Sequence, residues 1–90
     1  MLFRLVYTMG KKEVETLKPW IIEALHTLGG AATVMDISKF VWHNYNEELL
    51  NYGDLFYRWQ YVIRWSATTL RHEGILLPKE DSERGIWVLA

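Results

Sequence analysis

The sequence predicts an α+β fold, with three helices followed by a C-terminal β-hairpin in one domain. The chain has 90 residues, 50% hydrophobic and 23% charged, which suits a single small globular domain. Apolar residues recur at helical spacing in three separate segments. Two short apolar runs around a polar loop follow the third segment, and two such strands need helices to pack against.

The first ten residues are left as an arm or an extra strand. Residues 2–9 are apolar and fit a short strand, a helix start or a docked arm equally well. Arg4 interrupts the apolar run and no basic leader precedes it, which fits a signal peptide poorly. No stretch approaches the ~20 apolar residues of a membrane span. We therefore expect a cytoplasmic protein with no membrane partner.

The first helix is predicted over residues 17–28. Thr16 is a suitable N-cap, and Pro19 is tolerated in a first turn, where its missing N–H would be unpaired anyway. The apolar residues at helical spacing are Leu17, Ile21, Ala24, Leu25 and Leu28. Gly29 and Gly30 end the helix, because glycine adopts the left-handed conformation of a C-cap without strain.

The second helix is predicted over residues 34–46. Thr33 and Asp36 have the spacing of a capping box, with Asp in place of the preferred Glu. The residues expected to face inward are Ile37, Phe40, Val41 and Tyr45. Asn44 and Asn46 indicate that the helix gives way there to a polar connector.

The third helix, over residues 55–72, and a hairpin over residues 75–89 complete the chain. No Gly or Pro interrupts the helix, and one face carries Phe56, Trp59, Ile63, Ala67 and Leu70. Gly74 ends it, and residues 78–84 form the polar loop of the hairpin. This order is that of a winged helix-turn-helix domain, in which the second and third helices form the helix-turn-helix and the hairpin is the wing.

Spacing also assigns most of the aromatic residues. The core is expected to take Phe40, Phe56, Trp59, Trp65 and Trp87, and the candidate binding face is expected to take Tyr57 and Tyr61. Trp65 is expected to pack against Trp87 or the wing. Trp20 and Trp42 are expected to lie in the core or at its rim.

Residues 61–89 carry a spaced set of motif residues. The set comprises Trp65 five residues before Leu70, then Gly74 and Ile75, then Arg84, Gly85 and Trp87. In these positions the chain resembles the N-terminal winged-helix domain of the Mrr-type restriction endonucleases. The resemblance implies the same architecture over residues 17–90, a DNA-reading role and a link to a restriction or phage system. Ser66 departs from the family pattern, where Ala is usual, and no nuclease segment lies within the 90 residues.

The outer face of the third helix, opposite its apolar stripe, is the candidate binding surface. From Tyr57 to His72 the helix has three Arg and no acid, although the whole chain has a net charge of −1. Arg suits phosphates and guanine edges, whereas Gln and Thr suit base edges and thymine methyl groups. The predicted DNA-binding residues are Arg58, Gln60, Tyr61, Arg64, Thr68 and Arg71, with Lys39 from the second helix and Lys79 and Arg84 from the wing.

The wing loop is acidic, which opposes a simple two-point docking on DNA. Glu80, Asp81 and Glu83 stand between Lys79 and Arg84. A wing that follows the phosphate backbone favours Lys or Arg at its tip. Either Lys79 and Arg84 alone contact phosphates, or the wing faces away from the DNA.

No catalytic or metal-binding pattern is present in the sequence. The absence of Cys removes disulfides, thiolate zinc sites and Cys nucleophiles. His26, His43 and His72 are scattered over three helices and have no metal-ligand spacing. The sequence therefore predicts no enzyme, no metal and no cofactor.

The predicted function is binding of double-stranded DNA by the third helix, in transcription regulation or in a restriction or phage system. The alternative is a protein-interaction or dimerisation module that binds no DNA, because a fold alone does not determine function. Residues 2–7 and the 45–52 surface are the candidate sites for a homodimer.

Overall fold

A computed structural model describes residues 2–90, with side chains described from Lys11 onwards. Three helices and two strands make up the fold: α1 (Leu2–Thr27), β1 (Ala31–Thr33), α2 (Val34–Leu50), α3 (Leu55–His72) and β2 (Ile86–Val88). The two strands form one antiparallel sheet. The α+β class and the order of the three helices are confirmed, and the winged-helix identity stays a prediction.

Helix α1 begins well before the predicted start at residue 17. It runs from Leu2, so Thr16 is not its N-cap and Pro19 lies in its interior. The Thr16 hydroxyl donates instead to the Lys12 carbonyl oxygen one turn back, at 2.9 Å. Gly10 also lies within α1, because a helix interior tolerates Gly at a cost of about 1 kcal/mol. The side chains of residues 2–7, one candidate dimer surface, lie outside the described part.

Helix α2 starts where predicted and ends four residues later. The Asp36 N–H donates to the Thr33 hydroxyl at 3.0 Å, which confirms Thr33 as the N-cap. Asn44 does not end the helix, because its side-chain amide donates to the Phe40 carbonyl oxygen one turn back, at 2.8 Å. The extra turn reaches Leu50 and places Leu49 in the core, fully buried.

Tyr45 is the one residue of α2 with non-helical backbone angles, φ −128° and ψ 19°. Its ring stacks on Trp20 of α1 with centroids 4.3 Å apart, and its hydroxyl donates to the Glu23 carboxylate at 2.5 Å. This hydrogen bond, together with desolvation, raises the pKa of Tyr45 to about 12. The contact is therefore complete below the ordinary tyrosine pKa near 10 and is lost as pH rises towards 12. Tyr45 and the buried Leu49 thus pack inward, so Leu50 and Tyr52 are the exposed apolar residues of the predicted 45–52 dimer surface, which stays a prediction.

The predicted hairpin is present only as a short antiparallel contact between residues 75–77 and 88–90, in which the Leu77 N–H donates to the Val88 carbonyl oxygen at 2.9 Å. Strand β2 pairs with β1, in the register Ala31↔Val88, Ala32↔Trp87 and Thr33↔Ile86. The segment 75–77 contributes an isolated bridge, Leu76↔Leu89. The N–H groups of Ile75 and Leu76 donate to the Leu70 carbonyl oxygen at 2.9 and 3.2 Å and so close the end of α3. Since these donors are taken and Pro78 has none, this segment cannot form a full ladder.

Helix α3 matches its predicted bounds and supplies much of the core. Its buried residues are Leu55, Trp59, Val62, Ile63, Ser66, Ala67 and Leu70. Phe56, expected in the core, is half-buried at the rim. Trp65 is also half-buried, and its ring neighbour in the described structure is Tyr61, with centroids 6.2 Å apart, rather than Trp87.

Ser66 is a fully buried polar residue at the contact between α3 and α1. Its hydroxyl oxygen lies 2.9 Å from the Val14 carbonyl oxygen of α1 and 3.2 Å from the Val62 carbonyl oxygen of its own helix. A hydroxyl has a single proton, so the two carbonyl groups share one donor. This donor links the two helices at a position where the Ser66 side chain is fully buried.

Ser66→Ala is expected to lower the free energy of unfolding by about 1 kcal/mol, the usual net value of such a hydrogen bond. Urea unfolding followed by circular dichroism measures it. The matched control is Thr68→Ala, because the exposed Thr68 hydroxyl bonds to Arg64 within the same helix and should change stability by less than about 0.5 kcal/mol. Equal stability of the wild type and Ser66→Ala would contradict the proposed link.

Candidate nucleic-acid interface

The outer face of α3 is open to solvent along its length. Tyr57 and Tyr61 are 83% and 57% exposed, and Gln60, Arg64 and Thr68 are exposed beside them. The opposite side of the helix faces the core. The helical spacing in the sequence predicts this arrangement of a buried and an exposed side. Among the described side chains of this face from Tyr57 to Arg71 there is no acid.

Arg64 and Arg71 are the two cations of the outer face without a described ion-pair partner. Arg64 is exposed, and Arg71 is half-buried two turns further along the helix. The buried Nε of Arg71 has no hydrogen-bond acceptor among the described residues. The Thr68 hydroxyl between them donates to the Arg64 carbonyl oxygen at 3.0 Å. These two Arg side chains therefore keep their charge available for an anionic ligand.

The charge of Arg58, in contrast, is not available for a ligand. Its guanidinium donates to the Glu13 carboxylate of α1 at 2.5 Å. The Arg58 side chain is 47% exposed, whereas that of Glu13 is only 15% exposed. Arg58 thus lies on the α1 side of α3 with its charge compensated. Sequence reasoning missed this pair because it placed Glu13 before the first helix.

Arg58→Ala is expected to change the affinity for duplex DNA by less than about twofold, because its charge is already balanced by Glu13. The same change should cost about 0–1 kcal/mol of stability, as for other partly exposed ion pairs. Fluorescence anisotropy measures the first quantity and urea unfolding the second. A tenfold loss of affinity would show that Arg58 leaves Glu13 and contacts the ligand.

A groove between α2 and α3 borders the outer face on its other side. We call it the α2–α3 groove. Its lining residues are Met35, Ser38, Lys39, Trp42, Phe56, Trp59 and Gln60. The structure thus brings together Lys39 and Gln60, which the sequence proposed separately. Met35 and Trp42 are exposed, and sequence reasoning missed them as surface residues. Their spacing of seven on α2, around polar Ser38 and Lys39, was the available signal.

Lys79 and Arg84, in the loop predicted to be a wing, are exposed, as are the acids between them. Lys79 begins a single 3₁₀ turn, Lys79–Asp81. The end of the loop is tied to the start of α2, because the Val34 N–H donates to the Gly85 carbonyl oxygen at 3.2 Å. The loop is therefore anchored to α2, and any ligand that contacts its two cations also meets its three acids.

The chain matches no protein-family model, no curated protein and no solved structure. In the described part, no helix is both long enough and apolar enough to cross a membrane. The same part holds no group of three His, Asp or Glu side chains arranged to bind a metal ion. The features that the structure does show are a small α+β domain and a third helix whose outer face is exposed and carries Arg but no acid.

Proposed function

We propose that this protein is a winged-helix protein that binds double-stranded DNA through the outer face of α3. The observation that carries the proposal is the pair Arg64 and Arg71, which lie on an exposed, acid-free helix face without described ion-pair partners. An α-helix with its side chains is about 10–12 Å wide, which matches the ~12 Å width of the major groove.

Each predicted contact follows from the chemistry of the side chain. Arg64 and Arg71 bind phosphate or a guanine edge, and Gln60 reaches a base edge from the side of the α2–α3 groove. Tyr61 and the Thr68 methyl group contact the apolar parts of the groove floor. Lys39 on α2 contacts the backbone next to α3, as the first helix of a helix-turn-helix does.

The acidic wing opposes a second contact with DNA, so binding depends on the outer face of α3. Glu80, Asp81 and Glu83 repel phosphates, so the wing adds little affinity beyond Lys79 and Arg84. We therefore expect weak, strongly salt-dependent binding to a random duplex, with a Kd of about 10⁻⁴–10⁻⁶ M at physiological salt. The likeness of residues 61–89 to the Mrr-type domain supports a role in a restriction or phage system, or in transcription regulation.

A fluorescence anisotropy titration of a labelled random duplex, at a low and a high salt concentration, tests the proposal. The proposal expects saturable binding at low salt that weakens at high salt. The absence of binding at low salt would overturn it.

A protein-interaction module is the second candidate, and one observation favours it. Leu50 and Tyr52 are exposed apolar residues at the end of α2 and in the connector to α3. Size-exclusion chromatography with light scattering distinguishes the two functions. A stable dimer that Leu50→Asp disrupts, together with no duplex binding, would favour the interaction module.

A further inference from the structure

Trp42 differs from the other four tryptophans because it alone is exposed, at 43%. Its indole is nevertheless well supported. It lies nearly parallel to the buried Trp59, at an interplanar angle of 8° with centroids 6.4 Å apart, and Phe56 lies 6.1 Å away. The centroid distance means that the two indoles overlap only in part, which leaves ring surface of Trp42 uncovered. Trp42 thus presents a flat, partly exposed aromatic surface, and its contacts with Trp59 and Phe56 fix the orientation of the ring.

The polar groups on the α2–α3 groove side of Trp42 suit an anionic planar ligand, whereas Asp36 and His43 line the neighbouring groove that Trp42 and Lys39 also border. Lys39 lies one turn before Trp42 and lines the α2–α3 groove with it. No acid lines this groove, and the uncharged polar side chains in it are Ser38 and Gln60. The groove therefore combines an aromatic surface, one cation and an amide with both a donor and an acceptor.

We propose that Trp42 is a stacking platform for an unpaired nucleobase of DNA, whose phosphate is held by Lys39. Base–aromatic stacking tolerates any base, because every base has a π face. A nucleotide is the ligand that meets both features of the groove, since it carries a planar ring and a negative charge. Gln60 adds an edge contact that favours bases with a matching donor and acceptor.

The inference rests on the proposed function, because Gln60 belongs both to the α2–α3 groove and to the predicted DNA-binding residues of α3. A duplex bound on the outer face brings its end, or a base displaced from it, next to the groove. The favoured substrate class is therefore duplex DNA with a single-stranded overhang or an unpaired base, rather than blunt duplex.

The test compares two labelled duplexes of identical sequence, one blunt and one with a short single-stranded overhang, by fluorescence anisotropy. For wild-type protein we expect the overhang to tighten binding by about fivefold or more, the effect of one stacked base. Trp42→Ala should bring the ratio of the two affinities to about one. The matched control Tyr52→Ala removes an exposed aromatic residue outside the groove and should keep the wild-type ratio.

Intrinsic fluorescence provides a second readout that does not depend on duplex binding. A single-stranded oligonucleotide should quench the tryptophan emission of the wild type, and the conservative variant Trp42→Phe should lose that quenching while remaining folded. Equal affinity of the wild type for both duplexes, or an overhang preference that survives in Trp42→Ala, would overturn the proposal.

The two proposals fail in different ways. Quenching by a single strand without any binding of blunt duplex would reject the duplex-reading function and retain the stacking platform. Blunt-duplex binding without an overhang preference would retain the duplex-reading function and reject the stacking platform. Self-association that Trp42→Ala abolishes, without quenching by any oligonucleotide, would assign the groove to a protein contact and overturn the base-stacking proposal.

Discussion

Replacing Arg64 and Arg71 together by alanine is expected to weaken binding to duplex DNA by about tenfold or more. In the proposed complex each Arg would form charge-assisted hydrogen bonds to phosphate or guanine, and bonds of this kind contribute about 1.5–3 kcal/mol. Arg64 is exposed and Arg71 is half-buried on the outer face, and neither has a described ion-pair partner, so both charges remain available to the ligand. No other pair of substitutions should reduce the affinity as much.

The salt dependence of binding separates lost phosphate contacts from other causes. If both Arg side chains contact phosphates, the slope of log affinity against log salt should fall by about 1.8, or about 0.9 for each contact. Arg58→Ala is the matched control, because it removes the same residue type from the same helix but from an existing ion pair with Glu13. An unchanged slope in the double variant, or equal losses in the double variant and the control, would contradict the assigned roles.

Trp59→Ala is expected to lower the free energy of unfolding by about 3–5 kcal/mol, the usual cost of removing a buried Trp. Trp59 is only 5% exposed and lies in the core between α2 and α3. A small domain has a total stability of about 5–15 kcal/mol, so this single change removes a large part of it. Urea unfolding followed by far-ultraviolet circular dichroism measures the loss.

The neighbouring Trp42 is the control for this prediction. Trp42 stacks on Trp59 but is exposed, so Trp42→Ala should cost clearly less than Trp59→Ala. Similar losses for the two variants would mean that the exposed indole contributes as much to the core as the buried one. That result would contradict the description of Trp42 as a surface residue.

The sequence was most informative where a pattern repeated over several turns. The bounds of α3 and most of its buried face followed from the apolar period, and its exposed side followed from the remaining residues. Thr33 was identified as a cap because capping depends on a local hydrogen bond to Asp36. Such features depend on neighbouring residues, which a sequence displays directly.

The errors arose where tertiary contacts override local signals. Pro19 suits the first turn of a helix, yet α1 begins at Leu2 and continues through Pro19. The segment 75–77 has a strand composition, but the N–H groups of Ile75 and Leu76 close α3. It therefore makes a single bridge to the last strand, whose ladder partner is β1. The pairing of Arg58 with Glu13 joins residues far apart in the chain, and helical spacing alone carries no information about such a partner.

The most direct test of DNA binding by α3 is a titration of isotope-labelled protein with a short duplex, followed by the shifts of backbone amide resonances. We expect the largest shifts on the outer face, at Gln60, Tyr61, Arg64 and Thr68, and little change on the side of α3 packed on α1. Shifts confined to Leu50 and Tyr52, or no shifts at low salt, would contradict it.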